Sequence, residues 1–392
     1  MNSNLNTAPK GVVFAKAREF ALECFKEQVG KTYLISQDLD YFSLAKTVKD
    51  EIENFGGYCE TIVLDDQVEL DVSIYSDLFN FENDSLVICV GKPNLINFVK
   101  YYAFLHNAKL VVVPTTISVT TVFADNALII KKGLQVFERV KKPEKVVVDL
   151  LFLAGLKKQV FADGFCEACS KLVSLIDAKA QAILTDEKIP NYFNFILSQI
   201  EGLCQIDSSS GKNIVKIINA QLKIGVALSQ SPSLLNGSEN AVSYVLSKIK
   251  EGSFYENAFY AIKPIITLYE AFLSYPIHKT VVSPNYNGRI GQLSTLLNVS
   301  KLSVIKNYNP IGYDEMEKIY SKLINSDLLF FVKKCGKLCE KLNSCYGYIY
   351  KGKQKRAEFD YLELKRSLIL APYIGGGLLK IISDSGVLEC LE

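Results

Sequence analysis

A chain of 392 residues, 49% hydrophobic and 22% charged, is long enough for about two domains and excludes the disordered and fibrous classes. The net charge is +2 and lysines are interspersed with acids, so no basic stripe exists for a phosphate backbone and nucleic acid is not an expected partner. The longest apolar stretch, Ser367 to Leu379, holds a proline and three glycines, and falls short of a membrane span. The opening MNSNLNTAPKG lacks the apolar run of a signal peptide, and ten cysteines without a dense framework read as reduced thiols. A cytoplasmic protein with no membrane association is the expectation.

From Gly11 to about Val148, short β-rich runs alternate with amphipathic stretches. The runs KTYLIS, CETIVL, SLVICV, AKLVVVP, NALIIK and KVVVDL predict strands joined by crossover helices. This is an α/β pattern, a doubly wound (Rossmann-like) parallel-sheet domain over residues 1–150. Tyr41 to Phe55 carries apolar residues at helical spacing and stops at Gly56-Gly57.

Beyond Leu150 the strand signals fade. Helical periods cover Phe165 to Ile183, Phe193 to Gly202, Ile214 to Leu228, Ala241 to Ile249, Phe259 to Phe272, Tyr313 to Asn343 and Ala357 to Leu370. Residues 151–392 are therefore predicted as an all-helical C-terminal domain. KGKQK, Lys351 to Lys355, reads as a solvated turn, and no internal repeat is present.

Several local strings are more specific. Leu86 to Tyr102 (LVICVGKPNLINFVKYY) resembles, without gaps, the V-G-G-G-x-x-x-D-x-x-K-Y segment of the sn-glycerol-1-phosphate dehydrogenase, glycerol dehydrogenase and iron-type alcohol dehydrogenase superfamily, whose fold is dehydroquinate synthase-like. Gly91 stands at the first glycine, Lys92 and Pro93 at the next two, Asn97 at the aspartate, and Lys100 and Tyr101 are kept. Val112 to Leu128 (VVPTTISVTTVFADNAL) is similar to the V-P-T segment; Thr115 and Thr116 fall on its cofactor side, and Thr120 on a substrate-side aspartate.

Gly164 to Asp177 (GFCEACSKLVSLID) resembles G-F-G-D-x-x-x-K-x-x-x-x-x-D, with Glu167 at a metal-binding aspartate and Lys171 and Asp177 retained. Gly237-Ser238-Glu239-Asn240 resembles G-S-E-H, and FYENAFYA places Tyr255 at a further metal-binding histidine. The C-terminal LKRSLILAPYIGGGLLK resembles the last helix, with Gly375 to Gly377 where an R-x-R-Y-T element belongs.

The resemblance implies an NAD(P) cradle at Gly91, Lys92, Pro93, Asn97, Thr115 and Thr116, a metal site at Glu167, Asn240 and Tyr255, and catalytic positions at Thr120 and Lys171. The substitutions weaken all three. Glycine lets backbone amides approach a pyrophosphate, whereas proline removes one N–H and fixes φ; Lys92 reads as a solvated turn lysine or a point charge for phosphate. Zinc-type catalysis needs three strong ligands and an open position, whereas asparagine supplies a neutral carbonyl and tyrosine ionises only near pH 10.

Other candidates carry a plainer alternative. His106 reads as a surface or cap histidine, and His278 lies in a proline-flanked loop that could approach an interdomain cleft. Cys166 and Cys169 form a C-x-x-C, read as buried or as a redox or metal pair; Cys335 and Cys339 read as one face of a helix.

Two functions follow. One is a pseudoenzyme with a binding, assembly or regulatory role and no cofactor. The other is a divergent NAD(P)-dependent polyol-phosphate oxidoreductase, or a related cyclase, using zinc or nickel, with Lys100, Lys171 and Asp177 as its remaining chemistry. A small phosphorylated ligand in an interdomain cleft, and a homodimer or partner subunit, are the expected partners.

Overall fold

The computed structural model describes residues 11–391 except 29, 38, 66–68, 157, 190–191, 208–209, 229–236, 251, 275–283, 307, 350–359 and 376. His278 and the Lys351 to Lys355 turn lie outside the described residues, as does the opening decapeptide. The described strands are β1 (Val12–Phe14), β2 (Thr32–Gln37), β3 (Glu60–Leu64), β4 (Leu86–Gly91), β5 (Lys109–Pro114), β6 (Asn126–Lys131), β7 (Leu134–Arg139) and β8 (Lys145–Val148).

Six of them form one parallel sheet in the order β1-β8-β5-β4-β2-β3. β2 and β4 are buried along their whole length, which is why both read as continuous apolar runs rather than as alternating ones. Helices α1 (Ala17–Lys26) and α2 (Leu39–Asn54) cover the face carrying Leu34, Ile88, Val90, Val111 and Val147. Gly91 has the opposite parity to Val90, and Leu95 of α3 (Pro93–Leu105) packs on it, so α3 covers the other face.

α2 ends where the glycines predict, with Gly56 at φ +85. α3 opens with Pro93 in its first turn and is capped at its C-terminal end by His106, the cap role expected for that histidine.

NALIIK is a correction. It is β6, and it pairs antiparallel with β7 in a separate two-stranded sheet. The reason is the turn: Lys132 at φ 54 and Gly133 at φ 73 make a two-residue left-handed link, which joins a hairpin and cannot make a crossover. The Asp71 carboxylate holds that link, accepting Lys132 N at 3.1 Å, Gly133 N at 2.7 Å and Ser73 N at 2.8 Å, together with the Ser73 hydroxyl. Burial alone would raise Asp71, but these hydrogen bonds outweigh it and hold the carboxyl below its ordinary value. β1, only three residues long, was not predicted and adds a strand at the sheet edge beside β8.

The remaining helices are α4 (Leu150–Ala154), α5 (Lys158–Thr185), α6 (Tyr192–Leu203), α7 (Gly211–Leu228), α8 (Ser238–Ile249), α9 (Phe254–Ser274), α10 (Tyr286–Leu297), α11 (Lys301–Lys306), α12 (Tyr313–Ile324), α13 (Leu328–Ile349), α14 (Tyr361–Leu370) and α15 (Gly377–Asp384). The single helix expected from Tyr313 to Asn343 is two, because the Ser326 hydroxyl accepts Leu328 N at 3.1 Å and restarts the chain as a new helix.

The chain divides into two compact units, residues 1–164 with 209–230, and residues 165–208 with 231–392. The division by contacts differs from a break at residue 150. The boundary falls inside α5, and α7 belongs to the sheet unit. The Gln221 side chain of α7 explains that membership, since its Oε1 accepts Val119 N and its Nε2 donates to Gly164 O. Among the described residues all strands lie in the first unit, and the second is helical. No single helix among them is long and apolar enough to cross a membrane.

Candidate functional site

In the sheet unit the glycine-turn positions gather at the carboxyl end of β4. Gly91 O accepts Thr115 N at 3.0 Å, which draws the segment after β5 against the turn. A Cβ on Gly91 would fall 2.6 Å from Leu95 Cδ2, so α3 packs its own side chain against the glycine on that face. Lys92 is the N-cap of α3, with no side-chain cap bond, and Pro93 follows it in the first turn. That helix end keeps a positive dipole but offers one N–H fewer than a glycine turn.

Asn97 is buried and its Nδ2 donates to Thr121 Oγ1 at 3.0 Å. Lys100, read from the sequence as an acid, base or phosphate anchor or as a helix-surface residue, lies buried rather than on the surface. Its Nζ is fully buried and donates to three carbonyl oxygens, Thr121 at 2.9 Å, Ala124 at 2.8 Å and Asn126 at 2.7 Å, which uses every ammonium proton to fasten one loop. Burial pushes Lys100 down to about 7, against the pull of Asp125.

Thr116 Oγ1 accepts Ser118 N at 3.1 Å, and Thr120 is wholly buried under α7. A Cβ on Gly225 would meet the Thr120 carbonyl oxygen at 2.1 Å, so only glycine lets α7 lie so close to this loop.

In the helical unit α5 presents Glu167, Lys171 and Ser174 at helical spacing on one face. Lys171 Nζ donates to Glu239 Oε1 at 2.9 Å and to Asn240 Oδ1 at 3.3 Å, and Ser174 Oγ donates to the same Glu239 oxygen at 2.5 Å. The Lys171–Glu239 pair is buried on both sides. Glu239 Oε2 lies so near Gly237 that a Cβ there would come within 2.2 Å of it.

Three residues farther along α5, Asp177 accepts Ser238 N at 2.8 Å and Leu378 N at 3.0 Å, with the Tyr269 hydroxyl 2.7 Å away. Its carboxylate therefore joins the N-terminal ends of α8 and α15, where helix dipoles favour an anion. Burial nonetheless pushes Asp177 up to about 6, because the hydrogen bonds offset only part of the desolvation. Gly377, at φ +40, lets the chain pass this carboxylate; a Cβ there would fall 2.3 Å from Asp177 Cγ.

Of the three metal positions, Glu167 is buried on α5 one turn before Lys171, and Asn240 is drawn to Lys171. Tyr255 is half-buried at the start of α9, which the Ser243 hydroxyl ties to α8 through the Phe254 carbonyl. Among the described residues no group of three or more His, Cys, Asp or Glu side chains could hold a metal ion. Cys166 and Cys169 are fully buried, and burial raises Cys169 well above its ordinary value, which disfavours its thiolate.

Sequence reasoning missed Glu239 as the partner of Lys171, and Tyr269 as the hydroxyl beside Asp177. The 167-171-174 spacing signals the first, whereas nothing in the sequence points to Tyr269.

No family model matches the chain. A glycerol-1-phosphate dehydrogenase (NAD(P)+) of Saccharolobus islandicus is 25% identical over 169 residues, 41% of this chain and 46% of that relative. The corresponding Saccharolobus solfataricus protein is 24% identical over 234 residues, 58% of this chain and 64% of that relative. The chain thus spans about half the length of the first of these curated relatives. In structure it matches an archaeal alcohol dehydrogenase from a Red Sea brine pool with a TM-score of 0.60 and 11% identity, over 98% of this chain and 97% of that one. The fold is that of the iron-type alcohol dehydrogenases.

A maleylacetate reductase from Rhizobium sp. shares that fold at a TM-score of 0.56 and 13% identity, over 98% of this chain and 96% of that one. An iron-containing alcohol dehydrogenase from Thermotoga maritima does so at 0.52 and 13%, over 86% and 98%. The resemblance seen in the motif strings thus holds in sequence and in structure. On the iron-type alcohol dehydrogenase scaffold, the motif residues retained in this chain are one another's partners: Lys171 holds Glu239, and Asp177 holds Ser238.

Proposed function

We propose that this chain is a dehydrogenase-like pseudoenzyme, retained for binding, assembly or regulation, as a homodimer or as the partner of an active relative. The observation that carries this reading is the Lys171 ammonium on Asn240 Oδ1. At the position where the superfamily has a histidine ligand, the only oxygen on offer is a neutral carbonyl already engaged by a cation 3.3 Å away. A divalent ion there would face an ammonium across a few ångströms of low-dielectric interior, with Glu167 as its one anionic ligand among the three positions.

The donor set does not fit zinc or nickel. The NAD(P) cradle is poorer than a glycine turn, since Pro93 lacks the N–H that a pyrophosphate would use.

A second reading, a divergent NAD(P)-dependent oxidoreductase acting on a polyol phosphate, draws support from the carboxyl edge of the sheet. The strand order reverses between β2 and β4, the place where open α/β sheets bind ligands. Near that edge Gln37, Asn97 Oδ1, Thr115 Oγ1 and Ser118 Oγ are buried with no hydrogen-bond partner in the structure. Buried polar atoms of this kind call for a ligand or water.

Fluorescence titration with NADH and NADPH separates the readings. The pseudoenzyme reading expects no saturable quenching into the millimolar range, and micromolar affinity for either nucleotide would replace it with the second reading.

A further inference from the structure

The helical unit contains a feature unrelated to the dehydrogenase positions. Of the six cysteines of this unit whose side chains are described, five are buried, and Cys204 is partly open to solvent. Cys204 follows the last turn of α6, its N–H bonded to Glu201 O at 3.1 Å. Across from it on α13, Cys345 Sγ lies 3.1 Å from the Cys204 carbonyl oxygen, although 141 positions separate the two in sequence. The carbonyl carbon and Cβ of a residue are both bonded to its Cα. A thiol seated on that carbonyl oxygen places Cys345 against the residue that bears the other sulfur, and a disulfide then requires the two Cα atoms to lie roughly 4.4–6.8 Å apart.

We propose that Cys204 and Cys345 form a redox-modifiable pair, closed to a disulfide by a hydroperoxide. Cys204, the accessible member, gives up its proton and its sulfur attacks the peroxide oxygen. The O–O bond breaks, an alcohol or water leaves, and Cys204 becomes a sulfenic acid. The Cys345 sulfur then attacks the Cys204 sulfur, the S–O bond breaks, and hydroxide departs as water with the Cys345 proton. Two thiols are oxidised by two electrons and one hydroperoxide is reduced. The product pins the end of α6 to α13.

Cys169 also senses the charges of Cys204, Cys339 and Cys345, but it and the other core thiols of this unit are less accessible than Cys204. Cys166 and Cys169 lie on one helix with no exposure, and Cys335 and Cys339 are sealed in the core. Burial raises both members of the pair; at Cys204 the charges of Cys345 and Glu201 add to that, and Lys341 opposes it. Closure is accordingly slow at neutral pH and accelerates roughly tenfold per pH unit while the thiolate remains the minor species.

The test is peptide mapping of the full chain treated with hydrogen peroxide, then alkylated and digested without reductant. The expected result is one cross-linked species joining the peptides of Cys204 and Cys345, two hydrogens lighter than their sum and split by dithiothreitol. The Cys335→Ser variant keeps the cross-link, and Cys345→Ser leaves a sulfenic acid on Cys204 that dimedone captures. Sulfinic acid on Cys204 in the wild-type chain without a cross-link, no oxidation at all, or pairing of Cys204 with Cys169 or Cys339 would each overturn the proposal.

Discussion

Lys171 and Glu239 are both charged and both out of water, so each depends on the other. Removing one member leaves the other as an uncompensated buried charge, a loss of about 3–5 kcal/mol in such pairs, whereas replacing both with apolar residues of similar volume is far milder. Urea unfolding should therefore show Lys171→Met and Glu239→Gln strongly destabilised and the Lys171→Met/Glu239→Leu double variant well short of their sum. Additive losses would mean that the pair is not a unit.

Asp177 makes a prediction in pH. Its folded value of about 6 lies above the ordinary 3.8, so between these two the folded protein holds a proton that the unfolded chain has released. The contribution is fully present below about pH 3.8 and fades as pH rises through about 6. Asp177→Asn is expected to flatten that part of the profile of thermal midpoint against pH. An unchanged slope would assign the titration to another group.

Helices and strands differ in how plainly their roles can be read from the chain. The amphipathic periods gave α2, α6, α7 and α9 nearly as they stand, because one apolar face against a core imposes its spacing wherever the helix docks. NALIIK carries the composition of a central strand and belongs to a hairpin, since β composition reports burial and says nothing about the partner strand. Lys132-Gly133 was the available signal. The break between α12 and α13 was equally available, in Ser326.

What could not be read was the close approach of α7 to the loop around Thr120, because a helical glycine does not announce what it touches. Gly225→Ala would place a Cβ 2.1 Å from the Thr120 carbonyl oxygen, and overpacking of that kind costs about 1–3 kcal/mol. Gly202→Ala is the internal control: nothing lies within 4 Å of its added Cβ, so helix propensity alone acts and stability rises by up to about 1 kcal/mol. Equal thermal shifts in the two variants would contradict the packing described for α7.

At the scale of the whole molecule, most of the residues shared with the superfamily motifs hold the fold together, and most of those that differ lie at positions the resemblance assigns to ligands. Lys171, Asp177, Gly237, Ser238 and Glu239 hold helices together, and Lys100 ties down a loop. The changed positions, Lys92, Pro93, Asn97, Thr120, Glu167, Asn240 and Tyr255, are ones the resemblance assigns to cofactor, substrate or metal, while Gly91 and Lys171 are kept at a cofactor and a catalytic position. Motif order was legible because scaffold residues must stay in register with the fold. The roles of those residues were not, since a lysine that fastens a loop and a lysine that moves a proton look alike in one dimension.

The central claim is that the Glu167, Asn240 and Tyr255 positions no longer hold a divalent ion. Elemental analysis of the full chain, equilibrated with zinc or nickel and desalted, tests it directly. The expected result is well below one equivalent of either metal, unchanged by Glu167→Ala. About one equivalent per chain, lost in that variant, would contradict it.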